Sequence, residues 1–182
     1  IVDSLVGSEM CIRDSINTHI VAKIDDAKLA CKAHGEKLNY KTHLHDNFIE
    51  GDVNDLSDYF SSYLDTCEKG LHIWGGESSV QLPKNPGRGG RNQQLALLMA
   101  DKIKNKDIVF LSAGTDGTDG PTNDAGGLVD GHTISLGLSN NLDHKIYLEN
   151  ADSGNYLEKS SSLVTTGPTG TNVMDLIIAI KN

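Results

Sequence analysis

Residues 112–130, S-A-G-T-D-G-T-D-G-P-T-N-D-A-G-G-L-V-D, gather five glycines and four aspartates just past the apolar run 108–111. That run is short and partly β-branched, which predicts a buried strand. In an α/β sheet, the loop beyond a strand's carboxyl end is where ligands sit. Glycines there let backbone approach a ligand closely, and carboxylates such as Asp116 and Asp119 can hold a metal ion or take a proton. The competing reading is a solvated loop of Asx turns. A second loop, G-R-G-G-R-N at 87–92, runs into a predicted helix. Unpaired amides and the helix dipole favour an anion at such a terminus. The guanidinium groups of Arg88 and Arg91 match phosphate or carboxylate. The bland alternative is Asn92 as a simple cap beside solvated arginines.

Neither nucleotide fingerprint is present. G-x-G-x-x-G would need glycine where Asn92 stands, and no G-x-x-x-x-G-K-[ST] occurs. A third loop, 165–172, reads T-T-G-P-T-G-T-N and offers Thr169, Thr171 and Asn172 to a hydroxylated ligand, or else is only a turn. His43 and His45 would face one side of a strand, but no third ligand follows at a fitting spacing, so packing is the favoured reading.

Sixteen basic against twenty-five acidic residues give a net charge of −9. That excludes a phosphate-backbone or anionic-membrane partner as the main function, since both demand a basic face. No apolar stretch approaches the ~20 residues of a membrane span. The three cysteines, Cys11, Cys31 and Cys67, are unpatterned, so a reducing, cytoplasmic compartment is expected. Residues 1–15, IVDSLVGSEMCIRDS, have no periodicity that continues and resemble a translated adapter tail.

The elements that must position these loops follow in order. Residues 18–22 predict a strand. A helix capped by Asp25 and stapled by Ile24 and Leu29 should stop near Gly35. A strand at 40–44, a helix carrying Val53, Leu56, Phe60 and Leu64 and closed by Gly70, and a strand at 71–74 come next. Alternating strands and helices imply crossovers and a mostly parallel sheet flanked by helices, an α/β fold. With strands parallel, the glycine-bearing loops at 75–77, 87–92, 112–127 and 167–172 should crowd at one rim. Residues 133–138 and 145–160 predict helices; 163–165 and the apolar tail 173–180 predict strands.

Taken together, G-G-E at 75–77, G-R-G-G-R-N-Q at 87–93, S-A-G-T-D-G-T-D-G-P-T-N-D-A-G at 112–126, V-D-G at 129–131 and T-G-P-T-G-T-N-V-M-D-L at 166–176 resemble the C-terminal, MOFRL-type half of class II glycerate kinases. The resemblance covers about residues 16–182. It implies that 16–75 end a first, Rossmann-like lobe and that 76–182 form the MOFRL-type lobe, with the active site between lobes. It implies ATP-dependent phosphorylation of D-glycerate at the 2-hydroxyl, with Mg²⁺, giving 2-phosphoglycerate. On that footing Arg91, Asp116 and Glu77 are the catalytic candidates. Arg91 would stabilise the transferring phosphoryl group or hold the glycerate carboxylate, and Glu77 would orient it or join the metal shell. Asp116 and Asp119 would hold Mg²⁺ or take the hydroxyl proton. Gly89, Gly90, Asn92, Thr115, Asp119, Thr169, Gly170, Thr171 and Asn172 are the expected substrate and nucleotide contacts. The family's early nucleotide-contacting lysine is absent, and the expected partner is the missing N-terminal lobe, leaving an exposed edge within 16–45. An NAD(P)-dependent hydroxypyruvate reductase and a non-catalytic anion-binding module are the alternatives.

Overall fold

A computed structural model describes residues 19–182; the adapter-like segment and Thr18 lie outside the described residues. The elements are α1 (Ile24–Lys37), β1 (Thr42–Asp52), α2 (Val53–Thr66), β2 (Gly70–Ser79), α3 (Arg91–Lys102), β3 (Ile108–Gly114), β4 (Gly126–Asp130), α4 (Thr133–Ser139), α5 (His144–Glu149), α6 (Ser153–Lys159), β5 (Leu163–Val164) and β6 (Asp175–Lys181). The strands form one sheet in the order β1-β2-β6-β3-β4-β5.

The α/β class with flanking helices holds, and its strand directions refine the expectation. β1 and β2 pair in parallel, whereas β2–β6, β6–β3, β3–β4 and β4–β5 pair antiparallel. β1, β2, β3 and β5 therefore point one way, and β6 and β4 are threaded between them in reverse. The cause is β6, which returns from the last loop into the middle of the sheet rather than adding at an edge. β1 is left at an edge, as expected for the N-terminal part. The boundary expected between Gly75 and Gly76 falls inside β2, and strands on both sides of it share this sheet.

Local details differ where a sequence pattern has two readings. Residues 19–22 form no strand. The cap of α1 is Lys23, whose amide donates to Asp26 Oδ2 at 2.9 Å, while Asp25 sits in the first turn. Leu29 is exposed and staples nothing. Gly35 lies inside α1, where a Cβ would collide with Leu71; Gly70 opens β2 instead of closing α2. The expected helix at 145–160 is broken by Ala151 at φ 48° into α5 and α6.

One face of the sheet carries the core. Val53, Leu56, Phe60 and Leu64 of α2 recur at helical spacing and pack with Trp74, Phe110, Ile177 and Ala179, joined by Leu95, Leu97 and Met99 of α3. α1 lies on the opposite face, against β1 and β2. In β3 and β6 only alternate residues are buried, the pattern of strands well covered on one side.

His43 and His45 do share a face, and they stack rather than ligate. The ring centroids of His43 and His72 are 4.5 Å apart, and those of His45 and Trp74 are 4.3 Å apart. Tyr63 closes the cluster, its hydroxyl 3.2 Å from His72 Nδ1. Burial, with His72 and His43 nearby, pushes the His45 imidazole down to about 4. A depressed folded-state value means that this stability is present above the ordinary histidine range and is lost as pH falls from 6.5 towards 4. With solvent screening of a half-buried ring, the term is about 1 kcal/mol. His45→Gln should therefore lose less stability than wild type between pH 7 and pH 5 in urea titrations. Equal losses would remove His45 as the group responsible.

Candidate active site

Because β1, β2, β3 and β5 point the same way, their carboxyl ends share one rim with the amino ends of β4 and β6. All four glycine-bearing segments meet there, as expected. The anchor is Asp119. Its Oδ1 accepts from the Asn92 amide at 3.1 Å and its Oδ2 from the Gln93 amide at 2.8 Å. Asp119 thus occupies the anion position at the start of α3 with a carboxylate from the chain itself. Gly90 must be glycine, since a Cβ there would fall on the Asp119 carboxyl. Burial pushes the Asp119 carboxyl up to about 6, against the pull of the two amides. Asn92, also buried, bridges inward: Ser112 Oγ donates to its Oδ1 at 2.6 Å, and its Nδ2 donates to Asp119 at 3.3 Å.

Three expectations meet these contacts. The side-chain amide of Asn92 is engaged inside the protein, both oxygens of Asp119 accept N–H groups at the start of α3, and that helix terminus is filled by a carboxylate of the chain itself. Arg88 also leaves the site: NH2 binds Asp124 at 2.5 Å and NH1 binds Glu158 at 2.6 Å, tying the loop to α6.

Arg91 stays. It is the first residue of α3, and its guanidinium is held by two carboxylates. Nε and NH2 grip Asp175 at 2.7 and 3.1 Å, and NH1 meets Glu77 at 2.8 Å. The Asp175 hydrogen bonds raise the pKa of Arg91 further. Of its five N–H groups, two are hydrogen-bonded to Asp175; the second on NH2 and both on NH1 are not, and Glu77 meets NH1 as an ion pair without a hydrogen bond. Arg91 and Glu77 line a cavity of about 590 Å³ with Gly89, Gly90, Gly120 and Pro121.

The threonine loop is laced to the loop after β3. Thr115 Oγ1 donates to the Met174 carbonyl at 2.7 Å, and Thr169 Oγ1 to the Thr115 carbonyl at 2.6 Å. Asn172 Nδ2 donates to Asp116 Oδ2 at 3.1 Å, and the Thr118 amide to Asp116 Oδ1 at 3.0 Å. Thr115, Thr169 and Asn172 therefore hold the two loops together. Gly170, at φ 76°, and Thr171 are exposed at the loop's tip. Asp116 and Asp175 flank Gly114, their Oδ1 atoms 3.1 and 3.6 Å from where a Cβ would sit. This joins the two halves of the site.

Asp119 is the less suited member of the expected magnesium pair, being buried with its oxygens already accepting three N–H groups. Among the described residues, no three His, Cys, Asp or Glu are grouped to hold an ion. No helix among them is long and apolar enough to cross a membrane.

The residue missed in the sequence is Asp175. Its signal was present: a lone aspartate opening an isoleucine-rich strand, at a position where an apolar residue would ordinarily begin the core. Its partner could not be read, because 84 residues separate it from Arg91.

The MOFRL family model matches residues 70–175. The D-glycerate 2-kinase of Thermotoga maritima is 52% identical over 109 residues, 59% of this chain and 26% of that protein. The glycerate 2-kinase of Pyrococcus horikoshii is 34% identical over 163 residues, 84% of this chain and 37% of that protein. The crystal structure of a glycerate kinase from Thermotoga maritima superposes with a TM-score of 0.85 at 34% identity, over 91% of this chain and 42% of that one. The chain spans between about a quarter and two fifths of the length of these relatives.

Proposed function

The chain belongs to the MOFRL family, and on that premise we propose that it forms the acceptor-side part of a glycerate 2-kinase. In this reading the enzyme moves the γ-phosphoryl of ATP to the 2-hydroxyl of D-glycerate, giving 2-phosphoglycerate and ADP. The observation that carries it is Arg91: one guanidinium, fixed by a buried carboxylate, keeps N–H groups on NH1 and NH2 without a hydrogen-bond partner at the edge of a cavity. The names of the relatives supply the reaction and the acid.

Arg91 binds either the glycerate carboxylate or the phosphoryl group in transit; its fork suits both. Phosphoryl transfer is mainly positioning and neutralisation of charge, so a rigid cation at a helix start is the kind of group it needs. Asp116 is the proposed acceptor of the hydroxyl proton, held in place by Thr118 and Asn172. Gly89 and Gly90 give the ligand a wall without side chains. ATP is the proposed donor, and Asp116 is the half-exposed carboxylate of the expected pair that would hold Mg²⁺. The free thiols of Cys31 and Cys67 support a reducing, cytoplasmic setting.

The test is ADP release by the full-length enzyme with D-glycerate and Mg-ATP. Formation of 2-phosphoglycerate supports the kinase. Oxidation of NADH on adding hydroxypyruvate, without ADP release, would favour the reductase. Binding of 2-phosphoglycerate with neither turnover would favour a binding module.

A further inference from the structure

Resting on the kinase reading, we propose that the two carboxylates on Arg91 have different jobs. Asp175 is a permanent positioning residue, and Glu77 is an exchangeable place-holder that the carboxylate of the acceptor acid displaces.

The asymmetry lies in the contacts. Asp175 takes two guanidinium edges, Nε and NH2, and its side chain is 3% exposed. It opens β6 in the centre of the sheet, opposite Gly76 of β2 and Gly114 of β3. Both neighbours lack side chains, and at Gly114 a Cβ would sit 3.6 Å from Asp175 Oδ1. The carboxylate therefore has no side chain opposite it on either neighbouring strand. Glu77 pairs with NH1 at 2.8 Å by charge without a hydrogen bond, and its side chain is 50% exposed on the cavity wall. An exposed single-point pair is weak and screened, whereas a buried two-point pair is costly to break.

Charge gives the exchange its reason. With Asp175 and Glu77 both bound, Arg91 is over-neutralised and the cluster carries one net negative charge. Glu50 on the same wall adds another negative charge. An anionic acceptor is repelled by that arrangement until Glu77 leaves. A departing Glu77 uncovers NH1 of Arg91, so the acceptor carboxylate can take NH1 and NH2 while Asp175 keeps the guanidinium plane fixed. The place held by Glu77 is that of a carboxylate, which matches a small hydroxy acid in chemistry. In the empty site, Glu77 keeps Arg91 from swinging into solvent.

The experiment compares Glu77→Gln and Asp175→Asn in the full-length enzyme, with Tm recorded for each. Glutamine keeps the shape of Glu77 without its charge, so the KM for D-glycerate should fall three- to tenfold. That KM should also depend less on ionic strength. Asp175→Asn loosens the guanidinium, and kcat should fall on the order of 10²-fold, more than KM changes. A KM that rises or stays level in Glu77→Gln overturns the place-holder role, whatever Asp175→Asn does. A kcat within a factor of three of wild type in a folded Asp175→Asn overturns the positioning role. If Asp175→Asn fails to fold, the Glu77 measurement still decides the exchange. Failure of the wild-type enzyme to phosphorylate D-glycerate would instead sink the kinase reading itself, so the two failures are distinguishable.

Discussion

Exchange of Arg91 for alanine in the full-length enzyme is expected to lower kcat/KM for D-glycerate on the order of 10³-fold, the range for losing a cation that meets a transferring phosphoryl group. Two effects combine. The unbonded N–H groups at the cavity are lost, and Asp175 is left buried without its arginine. The second effect also costs stability, by about 3–5 kcal/mol for a broken buried pair, so kinetics must be read on protein shown to be folded. Arg91→Lys separates the contributions. It keeps the charge but not the fork, so it should retain more stability than alanine while recovering little turnover. A decrease of less than tenfold in folded Arg91→Ala would remove Arg91 from the mechanism and with it the main support for the acceptor site.

Asp119→Ala is expected to be among the most destabilising single changes in the chain, at about 3–5 kcal/mol. Losing the cap of α3 costs ~1–2 kcal/mol. The amides of Asn92 and Gln93 are then left buried without an acceptor, at about 1–3 kcal/mol each, part of which water or Thr122 recovers. Urea titration at pH 7 measures it, and a loss below ~1 kcal/mol would mean that another group caps the helix. The pH dependence has its own sign. The folded-state carboxyl is raised to about 6, so the folded form holds its proton more tightly than the unfolded one. Its contribution is greatest below about pH 4 and is lost as pH rises through 6. This runs opposite to His45 over the same window, so the two must be read from single variants and not from the wild-type curve. A carboxyl resonance of Asp119 titrating near 6 would confirm the assignment directly.

Much of the scaffold was legible because it rests on local regularities. The helical spacing of Val53, Leu56, Phe60 and Leu64 marks a helix, and the apolar run before Ser112 and the isoleucine-rich tail read as strands by their length and branching, with a helix as the rival for the tail. β4 was hidden for the opposite reason. Gly126-Gly127-Leu128 carries turn chemistry, and only pairing with β3 on one side and β5 on the other makes it a strand. Those glycines let neighbouring backbones close up: a Cβ at Gly126 would strike the Ser112 carbonyl.

The site was legible in its location and not in its roles. Residue types and glycine spacing marked four segments that the fold brings to one rim, three of them loops and the fourth, 75–77, inside β2. Which acid does what depended on distance in space. Asp119 and Asp116 are three residues apart and alike in sequence, yet one is buried as the cap of a helix and the other stays half exposed between Thr118 and Asn172. Arg88 and Arg91 look equivalent on paper. Arg88 reaches Glu158 and Asp124, and Arg91 reaches Asp175 and Glu77. By itself, the sequence determined the periodic elements, the absence of a basic face and the set of loops where chemistry could occur, since hydrophobic period, net charge and glycine content are local or additive. Only the tertiary structure decided the assignment of each carboxylate, because β6 returns through the middle of the sheet and sets Asp175 against an arginine 84 positions earlier, a pairing that no local rule encodes.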